Sequence, residues 1–279
     1  MDIKNYKECF ENLVNNTIEY LVQNNIETMV LGISGGIDST VTVAICNEVS
    51  KRTSIPIVGY SLMCTTNENE ECMAADAVGN CFCSEFHTIN IQDIYLKQSI
   101  AFKEFNDNAE TYPIVEGNIK ARTRMQFLYY IAGLRGGIVI DTDNLTEHSL
   151  GFWTLHGDDG DLDIIGNLWK HEVYGMAKYL RDNFYNNDND KLHALNLSIE
   201  LNPTDGNGVA AGGDLAQIAP GYTYDDVDII INKLTTCTKE DAEYLKSKYP
   251  GQVIRNILNR MIRSEFKRKH RPIIVSHIK

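Results

Sequence analysis

The stretch Thr28-Met-Val-Leu-Gly-Ile-Ser-Gly-Gly-Ile-Asp-Ser-Thr40 constrains this chain more than any other. Met29, Val30, Leu31 and Ile33 read as a short, fully buried strand through Gly32. Ser34, Gly35 and Gly36 turn the chain sharply, and Ile37, Asp38 and Ser39 open a helix that continues with Val41, Ala44, Ile45 and Val49. Strand, glycine turn and helix N-terminus in that order make an anion site. Backbone N–H groups point outward, the helix dipole is positive there, and glycine permits close approach. Ser34 and Ser39 add hydroxyl donors. Asp38 repels a phosphate, so its place beside a polyphosphate is to hold Mg²⁺. The bland alternative is an ordinary glycine turn capping a helix. No Lys follows the glycines, so the loop is not G-x-x-x-x-G-K-[ST], and it is not G-x-G-x-x-G either.

The rest of the chain supplies a fold for that loop. Residues 4–25 carry an apolar stripe at helical spacing. Apolar runs at 55–63, 86–91 and 137–142 read as further strands, and helical patterns at 69–78, 95–105 and 117–134 separate them. This alternation predicts an α/β architecture, a doubly wound parallel sheet with flanking helices. Ligands in such sheets sit at the carboxyl ends of strands, where 34–39 and 141–147 both fall. Residues 151–166 lack periodicity, 169–180 is a helix and 186–190 a polar turn. Glycines and alanines at 202–219 predict a mobile loop, and three helices over 223–266 form a helical C-terminal elaboration. With no repeat or low-complexity linker, residues 1–279 read as one domain with its core at 28–180.

Composition removes several classes of function. A net charge of −12 argues against nucleic-acid partners, which require a basic face. No apolar run approaches the ~20 residues that span a bilayer, and the N-terminus lacks a signal-peptide pattern. A cytoplasmic protein acting on small molecules is the expectation. The seven cysteines lack zinc-ligand spacing and read as buried free thiols.

Ser34 to Ser39 resembles the pyrophosphate loop of the N-type ATP pyrophosphatases, the PP-loop enzymes of adenine nucleotide alpha hydrolase-like fold. Four further stretches sharpen the resemblance: Gly117-Asn-Ile-Lys-Ala-Arg-Thr-Arg-Met125, Thr142-Asp-Asn-Leu-Thr-Glu147, Gly151-Phe-Trp-Thr154 and Gly157-Asp-Asp-Gly-Asp161. In this order and spacing they resemble the synthetase domain of NAD synthetase. That resemblance implies a two-step reaction. The pyridine carboxylate of deamido-NAD (nicotinic acid adenine dinucleotide) attacks the α-phosphate of ATP, releasing pyrophosphate, and ammonia then displaces AMP to leave NAD. Adenylation is chemically required, because a bare carboxylate offers ammonia only oxide as a leaving group.

The resemblance also assigns residues. It places ATP against Gly32, Ile33, Ser34, Gly35, Gly36, Ile37, Asp38 and Ser39, with Thr142, Lys170 and Thr204. It places deamido-NAD against Arg122, Asp161, Arg268 and Lys269, and Mg²⁺ against Asp38 and Glu147. It implies a homodimer built through the helix at 117–134, where Phe127, Tyr129 and Tyr130 exceed what one sheet face needs. No glutaminase segment with a Cys-Glu-Lys set is present, which implies free ammonia as donor unless a separate glutaminase partner delivers it. Two departures stand out. Leu155 replaces a lysine of the family pattern, and Ser61 to Asn67 lacks the usual Arg and Gln of the nucleotide pocket. They leave open a related adenylating amidotransferase acting on another carboxylate, or a nucleotide-binding module whose chemistry has decayed.

Overall fold

Each strand alternates its side chains between two separate apolar layers, and that alternation builds the molecule. The computed structural model describes residues 3–67, 69–104, 113–202, 215 and 218–269. The strands β1 (Thr28–Gly32), β2 (Ile57–Met63), β3 (Glu85–Asn90), β4 (Gly137–Asp141) and β5 (Leu162–Asp163) form one sheet in the order β3-β2-β1-β4-β5. All neighbours are parallel, with Met29 opposite Ile57 and Thr28 opposite Gly137.

Met29, Leu31, Ile57, Ile138 and Ile140 face one side, beneath α1 (Tyr6–Gln23), α2 (Ile37–Thr53) and α3 (Asn69–Phe82). Val30, Val58, Tyr60, Leu62 and Val139 face the other, where Met125, Leu128 and Ala132 of α5 (Pro113–Leu134) cover them. The helix α4 (Gln92–Glu104) packs on α5. The chain winds outward from β1 to β3 on one face, then returns along the other to β4 beside β1. The strand order reverses at the β1/β4 junction, where a crevice opens at the carboxyl ends. This is the doubly wound sheet expected from the sequence.

Beyond β4 come α6 (Leu145–Leu150), α7 (Lys170–Tyr179, continued by a π-helical turn to Phe184) and α8 (Asn189–Glu200). Three C-terminal helices follow, α9 (Tyr224–Thr236), α10 (Lys239–Lys248) and α11 (Gly251–Arg263), with a 3₁₀ turn at Glu265–Arg268. They enclose a third apolar cluster containing Leu150, Val227, Ile231, Leu245 and Ile257.

Three elements differ from the sequence reading. The helix α8 begins inside the expected polar turn, because Asp188 caps it by accepting from the Lys191 N–H. Its buried stripe, Ala194, Leu195 and Ser198, is too short and polar to announce itself. The two-residue β5 arises in the stretch without periodicity. Most of the expected mobile loop at 202–219 lies outside the described residues, while Ile218 and Ala219 at its end are buried in the third cluster.

Phe10 is fully buried on α1, with its ring centroid 4.6 Å from that of Phe184. Phe10→Ala is expected to lower unfolding free energy by about 3–5 kcal/mol, read as a drop in the urea midpoint with an unchanged slope.

Candidate active site

The glycine loop is shaped by what lies behind it. Gly35 has φ +83°, and a Cβ there would stand 2.6 Å from both the Ala75 amide nitrogen and the Glu71 carbonyl oxygen. The first turns of α3 therefore back the loop, and only glycine fits. Gly36 is the N-cap of α2 in extended conformation and has no side chain to satisfy the helix end. Ser34 Oγ lies 3.0 Å from Ser39 Oγ and accepts from the Gly36 N–H at 3.2 Å. The two hydroxyls and the helix N-terminus thus gather at one point at the end of β1.

The second wall rises from β4. Asn144 caps α6, its side-chain oxygen accepting from the N–H groups of Thr146 and Glu147 at 3.0 and 3.1 Å. Glu147 returns the bond to the Asn144 N–H at 3.2 Å. The Asn144 amide then donates to Asp38 Oδ1 at 2.9 Å, joining the two walls. Lys170, the first residue of α7, donates its Nζ to Asp38 Oδ2 and, at 3.1 Å, to Glu147 Oε1. Burial opposes the charge on Lys170, but Asp38 and Glu147 outweigh it and hold the amine protonated, above the ordinary lysine range.

Two carboxylates from different strand ends therefore converge on one cationic point beside an anion loop. Among the described residues no cluster of three or more acidic, His or Cys groups could cage a metal ion. A pair of carboxylates fits Mg²⁺, which binds through one or two of them and completes its shell with water and substrate phosphates.

Between the walls lies a cavity of about 310 Å³, bordered by Gly32, Ile33, Ser34, Gly36, Ile37, Asp38, Thr142, Glu147 and Lys170. It also exposes residues that the sequence did not single out. Arg124 lines it and donates to the Leu62 carbonyl at 2.9 Å. It stands two residues after Arg122, hence on the opposite side of α5. Tyr224 lines it with its ring 5.5 Å from Lys170 Nζ. Asp158 lines it too, and burial pushes its carboxyl up to about 7. Asp141 is raised to about 6 by burial and Asp163, and Asp143 is raised by burial and Asp141. A helix-face reading would have placed Arg124 in the cleft. Nothing local distinguishes Asp158 from its acidic neighbours.

The residues expected to meet the dinucleotide stand apart from this cavity. Arg122 is exposed and donates to the Leu155 carbonyl at 3.2 Å. Asp161 is exposed and accepts from the Tyr129 hydroxyl at 2.7 Å. Arg268 donates to the Ser149 and Met261 carbonyls, and Lys269 pairs with Glu265 at 3.8 Å. Thr204 lies outside the described residues.

Residues 9–271 match the family described as NAD synthase. The chain belongs to the NAD synthase family. It is 30% identical over 277 residues to an NH(3)-dependent NAD(+) synthetase of Methanococcoides burtonii, covering 98% of this chain and 95% of that one. The NH3-dependent NAD synthetase of Campylobacter jejuni, solved with nitrate, superposes with a TM-score of 0.71 at 25% identity over 97% of this chain and all of the other. An NMN synthetase from Francisella tularensis shares the fold, with a TM-score of 0.78 at 24% identity over 99% and 100% of the two chains.

In this NAD synthase fold the loop tolerates no side chain at residue 35. Gly35→Ala is expected to weaken ATP binding at least ~10-fold by calorimetry and to lower Tm, since overpacking against backbone costs about 1–3 kcal/mol. Gly133→Ala is the control. Nothing lies within 4 Å of a Cβ there, so Tm should hold or rise.

Proposed function

We propose that this chain converts deamido-NAD to NAD, using ATP to activate the pyridine carboxylate and ammonia to amidate it, with AMP and pyrophosphate released. The observation that carries the reading is the meeting of Asp38, Glu147 and Lys170 beside the Ser34–Ser39 loop. Asp38 and Glu147 would hold Mg²⁺, which supplies charge neutralisation on the polyphosphate. The loop amides and serine hydroxyls bind the phosphates, and Lys170, released from its carboxylates, turns to them. Adenylation then forms a carboxylate–phosphorus bond as the bond to pyrophosphate breaks. In the second step a C–N bond forms, AMP leaves with the C–O electron pair, and the surplus proton of the attacking ammonia passes to Asp158. A carboxyl held near 7 is matched to that transfer at neutral pH.

A mononucleotide acceptor is the second reading. It rests on Leu155, which brings no charge to the side chain beside Arg122, where the dinucleotide's far half would lie.

A homodimer fits the surface. Ile94, Ile100 and Phe102 on α4 and Ile114, Val115, Tyr130 and Leu134 on α5 are each exposed. Arg122, Tyr129 and Asp161 are exposed as well, Tyr129 donating to Asp161. A two-fold pairing there buries the apolar surface and brings the dinucleotide contacts of one protomer toward the cleft of the other. Among the described residues no helix is long and apolar enough to cross a membrane.

Purified protein with ATP, Mg²⁺, ammonium and deamido-NAD should release pyrophosphate and form NAD; glutamine should not replace ammonium. Nicotinic acid mononucleotide run in parallel decides between the two acceptors. Asp38→Asn or Glu147→Gln should lower turnover by about 10- to 100-fold or more with circular dichroism unchanged. Wild-type rates in either variant would remove that residue from the site.

Burial raises the Asp158 carboxyl to about 7, so the proton-accepting form is half populated near that pH, rises toward full above it and falls toward tenfold per pH unit well below it. The rate per free ammonia should show that acid limb. Asp158→Asn should lower the rate by about 10²–10⁴ and abolish the limb.

Sedimentation should give a dimer. Mixing an Arg122→Ala chain with an Asp38→Asn chain should restore part of the activity, because hybrid dimers keep one intact shared site. No recovery on mixing would place both residues in one protomer's site.

A further inference from the structure

Asp228 lies on α9, one turn after Tyr224, and is 1% exposed. Its carboxylate is far from solvent yet fully engaged. Oδ1 accepts from the Thr146 hydroxyl at 2.5 Å. Oδ2 accepts from the His171 N–H at 3.0 Å and from His171 Nδ1 at 2.8 Å. The Thr146 oxygen in turn accepts from the Lys170 N–H at 2.9 Å. One buried carboxylate therefore satisfies donors from the first turns of both α6 and α7. Buried anions are tolerated at such points, where two positive helix ends and charge-assisted hydrogen bonds replace water.

The neighbours in sequence give this bond pattern its meaning. Thr146 precedes Glu147, and His171 follows Lys170. Asp228 holds each member of the pair through its neighbour, by the Thr146 hydroxyl on one side and the His171 N–H and ring on the other, from a helix that belongs to the C-terminal layer. The separation of Glu147 from Lys170 is thus constrained by a residue that is not bonded to either side chain.

The geometry points to Asp228 as a positioning residue: it fixes the two helix N-termini that present Glu147 and Lys170, and so sets the site's grip on magnesium-bound ATP. The inference rests on the function proposed above, but its first readout does not. Calorimetric titration with ATP and Mg²⁺ reports the grip whether or not the acceptor is correctly assigned. Asp228→Asn puts an amide N–H₂ or a neutral oxygen against three donors. It should weaken binding of ATP with Mg²⁺ by about 10- to 100-fold, as outer-shell partners of metal sites do. The Mg²⁺ concentration giving half-maximal rate should rise, kcat should fall, and KM for the pyridine substrate should stay within about twofold, since that end of the site is untouched.

Thr146→Val removes the hydroxyl arm to Asp228, with the Lys170 N–H bond to the same oxygen, keeps the His171 arm and keeps the shape. It should give the same pattern at smaller size, and it carries the test if Asp228→Asn does not fold. Tyr249→Phe is the structural control. It deletes the 3.1 Å bond to Asp226 on the same helix and should lower Tm while leaving binding and kcat unchanged. Wild-type ATP affinity, Mg²⁺ dependence and kcat in Asp228→Asn or Thr146→Val, whatever their Tm, would overturn the inference. Tyr249→Phe losing affinity as strongly as Thr146→Val would also overturn it, by showing that loosening α9 anywhere has the same effect. A wild-type protein that binds ATP with Mg²⁺ but amidates neither pyridine substrate would refute the proposed function and leave this inference standing on the calorimetry.

Discussion

The site depends on a buried charge problem. Lys170 is nearly inaccessible, and its charge survives burial because Asp38 and Glu147 close on it from two strand ends. A buried ion group of this kind adds little net stability, since desolvation consumes most of the attraction. Its value is geometric. Removing one member leaves uncompensated charge, so the three side chains must stay together until a ligand replaces one of them. Phosphate for Lys170 and a divalent cation for the carboxylates are the replacements that keep charge balanced. The resting arrangement already holds the groups that the proposed reaction would use.

Keeping the three groups in register falls to short elements held at both ends. The six-residue helix α6 is too brief to persist by itself. Asn144 closes its N-terminus and at the same time reaches Asp38. At its C-terminus, Arg260 donates to the Leu150 carbonyl at 2.8 Å and to the Gly151 carbonyl at 3.1 Å, and Lys267 donates to the Gly151 carbonyl at 2.7 Å. Arg268 joins them at the Ser149 carbonyl. In this conformation the basic tail therefore serves as a helix C-cap, with cations against the negative dipole end. Its assignment to the dinucleotide requires those bonds to be exchanged. The C-terminal layer is not an ornament on the sheet, because through Asp228, Arg260 and Arg268 it fixes where Glu147 points.

The acidic group near the cleft follows a different logic. Asp141 accepts from the Asp143 and Gly160 amides at 2.8 Å each, which shapes the turn after β4. Burial and mutual repulsion raise Asp141, Asp143 and Asp158 together. Raised carboxyls hold protons more tightly folded than unfolded. This group therefore favours the fold at pH below its folded pKa values, and the contribution fades as pH climbs from the unfolded value near 4 toward 7. The proton acceptor proposed at the cleft thus comes at some cost to stability at neutral pH.

Much of this was legible in the chain itself. Short apolar runs at 29–33, 55–63, 86–91 and 137–142, alternating with helical patterns, determined a buried parallel sheet, and the Ser-Gly-Gly-Ile-Asp-Ser run determined an anion loop with one carboxylate to spare. Those signals are local: a strand needs only its neighbours' polarity, and a tight turn only its glycines. Thr142 and Lys170 were readable only through the family resemblance, and Glu147 through that resemblance together with its place five residues after Thr142 at a strand end. The role of Asp228 was not, because its two partner residues, His171 and Thr146, lie 57 and 82 residues away and meet it only when α9 closes over α6 and α7. The helix α8 escaped for the same reason. Its stripe is short, and it is held in place by long-range packing and by a buried bond between Thr40 and Ser198 at 2.7 Å. Arg122 and Arg124 share one motif, yet helix geometry turned one outward and the other into the cleft. Sequence determined which groups exist and which turns they ride on. Tertiary structure decided which of them face each other, because burial, charge pairing and helix-end satisfaction are properties of assembled elements rather than of any segment.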